Sequence, residues 1–340
     1  MNPPRFLFLS INEICNLRCL HCTYWQSSRK PQMALARRVE IVQEFSELSP
    51  RGNVVICGGE PMLDNSTYFE ICRTSRRLGL RTLSVVNGTQ IQNPHEALHV
   101  IEEGPDEISV SLDHPNPDMH DYVRGVPGSH ATAVQALRLL LKTRGVRPNP
   151  RIYVMGLLSR STSLVLPDFY HLVLDVIGAD KLKLNSIQPC FVQTRLGQQV
   201  NEDHFFASES QVDPTALRTS LTECSTKYNL HLNPNWIEQI TSYFHNLRGI
   251  PELERGWVCG VNTADHICNS AERNLMVDVA GRASLCFSEA FRSVQLNQPG
   301  DLRQFWETSD DVREKMQACY RLCGISHSVR NSSATLGKQP

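Results

Sequence analysis

Through its first half the chain alternates short β-rich runs with segments of helical period, and that alternation limits its fold more than any other feature. Candidate strands lie at residues 6–11, 54–57, 82–86, 107–112, 151–157 and 181–187, with candidate helices at 36–48, 67–78, 94–103, 130–144 and 167–177 between them. Strand and helix in repeated alternation give a parallel sheet with crossover helices, hence an α/β fold. Periodicity alone admits both an open doubly wound sheet and an incomplete barrel. After Pro189 the pattern changes to a polar stretch and a candidate helix at 214–228. A segment from 257 to 324 then carries five more cysteines. The expected division is 1–190, a helical connecting region 191–256, a small α+β unit 257–328 and a disordered tail 329–340.

Charge excludes one class of partner. Lys and Arg number 34 against 35 Asp and Glu, so no basic excess exists to neutralise a nucleic-acid backbone. The only apolar run near the start, residues 6–9, is too short for a signal peptide, and no stretch approaches a membrane span. The expected location is the cytoplasm. In a reducing compartment the twelve cysteines are unlike a disulfide framework, and clustered ones read as metal ligands or catalytic groups.

Three of them, Cys15, Cys19 and Cys22, follow the first candidate strand directly. A structural zinc takes four protein ligands, whereas a cubane iron–sulfur cluster on three thiolates keeps one iron open to substrate. A zinc site completed by His21 or by a distant residue is the competing reading. Tyr24 and Trp25 read equally as a cover for the cluster and as ordinary core aromatics.

The spacing C-x3-C-x2-C resembles that of the radical S-adenosylmethionine (SAM) superfamily, and further motifs arrive at the ends of successive strands. Gly58-Gly59-Glu60-Pro61 resembles that family's GGEP, and Val86-Asn87-Gly88-Thr89 its TNGT. Ser109-Val110-Ser111-Leu112-Asp113 resembles SLDG, with His114 in place of the glycine, and His120 to Gly125 resembles HD-x-x-RG. The resemblance covers about the first 190 residues. It implies a partial (β/α)6 TIM-like barrel, a 4Fe-4S cluster on Cys15, Cys19 and Cys22, and SAM chelated by the open iron. The implied cofactor-binding set is Gly58, Gly59, Glu60, Pro61, Asn87, Ser109, Ser111, Asp113 and Arg124, joined by Asn185 and Gln188, with Met155 and Gly156 near the adenine.

In the C-terminal segment, candidate strands 275–278 and 283–286 form a hairpin around Ala280-Gly281, and candidate helices lie at 302–307 and 311–317. The run Cys268, Cys286, Cys319, Cys323 resembles the twitch half of the SPASM/twitch modules, which implies an auxiliary 4Fe-4S cluster with every iron held by protein. Cys259 is an alternative to Cys268, and a zinc ribbon on the same thiols is the competing reading. Cys57, Cys72 and Cys224 read as buried or incidental thiols. Cys190, after the last barrel strand, is a candidate hydrogen-atom donor, with packing as its other role.

The expected function is that of a radical SAM enzyme. It would generate a 5'-deoxyadenosyl radical and oxidise a small polar molecule (sugar, cyclitol or nucleoside), alcohol to ketone, in natural-product biosynthesis. The small substrate is expected because there is no room before residue 6 for a leader-peptide domain, and the oxidation because an auxiliary cluster would take the second electron. The alternatives are a peptide maturase and, less favoured, a non-enzymatic iron–sulfur or zinc protein. A flavodoxin or ferredoxin is the expected reductant.

Overall fold

Leu7, Leu9 and Ile11 alternate along the first strand with Phe6, Phe8 and Ser10, and the first set is wholly buried in the main core with Ile41, Val42 and Phe45. Burial of each such aliphatic side chain contributes about 1.5–3 kcal/mol. The computed structural model describes residues 2–22, 24–26, 31–188, 204–248, 270–287 and 291–317. Strands β1 (Phe6–Asn12), β2 (Asn53–Gly58), β3 (Arg81–Val86), β4 (Glu107–Ser111), β5 (Arg151–Leu158) and β6 (Lys181–Ser186) are parallel neighbours in chain order. Helices connect them: α1 (Leu35–Leu48), α2 (Asn65–Arg77), α3 (Pro94–Glu103), α4 (Pro117–Arg124) and α5 (Ser129–Arg144). After β5 come the short α6 (Arg160–Ser163) and α7 (Leu166–Tyr170), which runs on into a π-type turn, His171–Ile177. The architecture is a partial (β/α)6 barrel; the open doubly wound sheet is excluded by this unbroken 1-to-6 order.

Local chemistry explains the helix starts. Asp64 caps α2, Asn93 and Glu96 form a reciprocal capping box on α3, and Asn116 caps α4, with Pro at the first turn of α3 and α4. The strand and helix positions expected from sequence agree with these to within two residues. Helix α4, eight residues long, lies inside a segment that the sequence marks only by a motif, and α8 (His204–Glu209) and α10 (Pro234–Arg248), which flank the expected α9 (Pro214–Lys227), are additions to the expected elements.

The C-terminal hairpin returns to the same sheet. Strand β7 (Asn274–Val277) pairs in parallel with β1, Leu7 opposite Leu275 and Leu9 opposite Val277. Strands β8 (Arg282–Ser284) and β9 (Val294–Gln295) follow antiparallel. The hairpin turn is closed by Asp278, whose Oδ1 accepts from Ala280 N and Arg282 N at 3.0 and 2.9 Å. Helix α11 (Asp301–Glu307) lies near α1, where Arg37 Nη2 donates to Gln298 O (2.6 Å) and Leu302 N to Glu44 Oε2 (3.3 Å). Helix α12 (Asp310–Gln317) follows it.

Candidate active site

The cysteine loop begins where β1 stops. Asn12, 1% exposed, ends the strand at an irregularity in its register with β2. Its Oδ1 accepts from Ile14 N (3.1 Å) and its Nδ2 donates to Glu60 O (2.9 Å), so one side chain holds both the cysteine loop and the GGEP turn. The turn is bound to the loop again by main chain: Gly59 N donates to Asn12 O and Glu60 N to Ile14 O, at 3.0 and 2.7 Å. A Cβ on Gly59 would lie 2.2 Å from Ile14 O, so a glycine is required there. The far side of the loop is tied to α4, with Arg18 N donating to Arg124 O (3.0 Å) and Leu20 N to Val123 O (2.9 Å). A third tie comes from the turn after β3, where Asn87 Nδ2 donates to Asn16 Oδ1 (2.8 Å) and Asn16 Nδ2 to Thr89 Oγ1 (2.8 Å).

Three motifs expected to surround a cofactor thus hold the cysteine loop in place. Glu60, 2% exposed, accepts from Asn87 N (2.7 Å) and Met62 N (3.2 Å). Burial pushes its carboxyl up to about 7 against the pull of those two N–H groups. Pro61 starts the short 3-10 turn Pro61–Leu63 that follows. Asp113, 3% exposed, pairs with Arg124 through two contacts, Arg124 Nη2 to Oδ1 at 2.9 Å and Nε to Oδ2 at 2.6 Å. Burial raises the Asp113 carboxyl, but the Arg124 charge outweighs it and holds the pKa below the usual range. The remaining guanidinium nitrogen, Nη1, lies 3.7 Å from Cys19 Sγ as a donor. His120 Nδ1 accepts from Asp113 N (3.0 Å), and His114 Nδ1 from Asn116 N (3.0 Å), which gives His114 a local structural role.

Beneath the loop is a cavity of about 620 Å³. Gly58, Ser109, Asn185, Gln188 and Met155 line it, together with Cys22 and His21 of the cysteine loop. Gly59, Glu60, Pro61, Asn87, Ser111, Asp113 and Arg124 do not line it and stand in the supporting layer behind. On the barrel face Glu107 pairs with Lys183 and with Arg81 (3.2 Å), and Lys183 lies over the Tyr153 ring. Cys286, just beyond β8, lines the same cavity. Cys72 and Cys224 are buried, as expected, while Cys57 is half-buried and faces the cavity. Cys190, Cys259, Cys268, Cys319 and Cys323 lie outside the described residues.

Among the described residues no three His, Cys, Asp or Glu side chains are gathered on a common point as a preformed metal site. The donor set nonetheless fits an iron–sulfur cluster. Cys15, Cys19 and Cys22 form no disulfide and lie on one loop held by the ties above, and burial is the main cause of the raised pKa of Cys15 and Cys19. Such thiols carry protons that a bound metal displaces. Burial also drives His21 down to about 4, leaving it neutral at ordinary pH.

Residues 9–158, from β1 to the end of β5, match the family described as the radical SAM superfamily. This segment is a radical SAM domain. Its relatives include the AdoMet-dependent heme synthase of Oleidesulfovibrio alaskensis, 30% identical over 147 residues that cover 42% of this chain and 36% of that protein. The mycofactocin maturase MftC of Mycobacterium ulcerans is 30% identical over 142 residues, 41% of this chain and 37% of its own. The chain therefore spans little more than a third of the length of these curated relatives. In fold it is similar to Streptococcus suis SuiB bound to the precursor peptide SuiA, with a TM-score of 0.65 at 11% identity, over 94% of this chain and 68% of that one.

The residues that join the radical SAM domain's loops but were absent from the sequence reading are Asn12, Asn16, Thr162 and Glu209. Thr162 Oγ1 donates to Asp113 O at 3.1 Å, and Glu209 Oε2 accepts from Ser159 Oγ, Ser161 N and Ser161 Oγ at 2.7, 2.9 and 2.7 Å. Asn12 precedes the cysteine motif and Asn16 lies within it, which is their only signal in the sequence; Thr162 and Glu209 have none.

Proposed function

We propose that the protein is a radical SAM enzyme acting on a substrate seated in the barrel cavity, with Cys15, Cys19 and Cys22 holding its catalytic 4Fe-4S cluster. When bound there, the cluster supplies the electron that cleaves SAM to methionine and a 5'-deoxyadenosyl radical. The chain's own residues orient and shield. Gly58, Ser109, Asn185 and Gln188 offer polar or open positions on the cavity wall for SAM, while Asn12, Asn16 and Glu60 fix the loop that carries the ligands. Tyr24 and Met155 add apolar surface beside them and limit water at the site.

The observation that carries the reading is that Cys22 and Cys286 open on one cavity. A second cluster on Cys286, with Cys268 (or Cys259), Cys319 and Cys323 completing its ligands, would supply an electron acceptor facing the substrate. That favours a net two-electron oxidation, such as alcohol to ketone. The polar barrel face formed by Glu107, Lys183 and Asn185 suits a small polar molecule. A peptide substrate is supported at least as strongly, by the 30% identity to a mycofactocin maturase. The reductant in either case would be a one-electron donor of flavodoxin or ferredoxin type.

The test is anaerobic reconstitution with iron and sulfide followed by dithionite and SAM, for the wild type and a Cys15, Cys19, Cys22 triple Ala variant. 5'-Deoxyadenosine should form only in the wild type, with about four irons kept by the variant. Absence of SAM cleavage by iron-loaded wild type would refute the reading.

A further inference from the structure

We infer that Arg124, held by Asp113, is a positioning residue that sets the reduction potential of the cluster ligated by Cys19; the inference rests on the cluster assignment above. Cys19 Sγ receives a guanidinium N–H, from Arg124 Nη1 at 3.7 Å. The arginine comes from the last residue of α4, and the carboxylate that aims it comes from the residues just beyond β4. Both are nearly sealed from solvent, with side chains 11% and 3% exposed. Asp113 is itself immobilised: Leu157 N donates to its Oδ1 (3.1 Å), Thr162 Oγ1 to its carbonyl, and its own N–H goes to His120. An ion pair serving only to join α4 to β4 would need the two nitrogens that face Asp113. The third points at the sulfur.

Reduction adds one electron to the cluster, from a low-potential one-electron donor, and forms or breaks no bond in the protein. The added negative charge is stabilised by a fixed cation and a sulfur-directed hydrogen bond, and in a dry site that stabilisation is weakly screened. Arg124 therefore raises the potential, and the Asp113 carboxylate moderates the rise. The two residues should act with opposite sign on one measured quantity.

The experiment is an EPR-monitored dithionite titration of the anaerobically reconstituted full chain, with iron and sulfide determined per chain. The wild type is compared with Arg124→Gln, Arg124→Lys and Asp113→Asn. The signal that vanishes in the triple Cys→Ala variant is the one followed. Arg124→Gln should lower the reduced-to-oxidised ratio at a fixed potential at least tenfold, which is about 59 mV for a one-electron couple. Asp113→Asn should raise the ratio, and Arg124→Lys should fall between wild type and Arg124→Gln. Shifts of the same sign in Arg124→Gln and Asp113→Asn, or none at full iron content, would overturn the inference. If Arg124→Gln does not hold iron, the other two variants decide it: an Asp113→Asn ratio at or below the wild-type value refutes it. A wild type with no signal lost on removing the three cysteines would instead refute the cluster assignment.

Discussion

Gly125 adopts φ +67°, and a Cβ there would stand 2.3 Å from Arg18 O. Gly125→Ala should therefore cost at least the roughly 1–3 kcal/mol of a strained backbone position and push α4 away from the cysteine loop. The expected result is a lower melting temperature and less iron held after reconstitution; an unchanged melting curve would contradict the close approach. His120 carries a pH dependence. It is 1% exposed, its Nδ1 must stay unprotonated to accept from Asp113 N, and burial lowers its pKa from 6.5 to about 4. As pH falls below about 6.5 the unfolded chain binds this proton before the folded one does. Stability is then lost progressively down to about pH 4, by about 3 kcal/mol in all. In urea melts the wild type should lose more stability between pH 7 and pH 5 than His120→Asn, whose amide oxygen can replace the acceptor.

At the scale of elements, the segment that leaves β5 is locked to the connecting region by the Glu209 carboxylate. Glu209, in α8, accepts three hydrogen bonds from Ser159 and Ser161 at the start of α6. Hydrogen bonds to a charged partner contribute about 1.5–3 kcal/mol each where they are fully formed, so Glu209→Ala should release α8 from the barrel. Amide exchange within residues 204–209 should speed up markedly, while β1 to β4 keep their protection. Equal protection of α8 in both proteins would show that the clamp is dispensable. That α8 lies here at all was illegible in the sequence, because the contact spans 48 or more residues between unremarkable Ser and Glu side chains.

For the whole molecule, β7 covers the edge of β1 and brings Leu275 and Val277, both at most 1% exposed, into the core. A chain ended at residue 269 would expose that strand edge together with apolar surface, a combination that promotes association. Such a truncation should elute as aggregate in size-exclusion chromatography; a stable monomer would mean that the six-stranded barrel is independent of the hairpin. Among the described residues no helix is long and apolar enough to cross a membrane.

The sequence by itself determined the six βα units, their parallel direction and the place where β1 delivers three cysteines. Strand alternation, helix period and caps are local, and motif spacing is read directly along the chain. It did not determine that Asp113 binds Arg124 and Glu60 binds backbone, since a motif names a residue without saying which of several partners a carboxylate meets. Nor did it place β7 beside β1: a four-residue strand carries no mark of the edge it will pair with. Only the tertiary structure decided these, because each depends on which distant groups are desolvated together, and burial is a property of the assembled core.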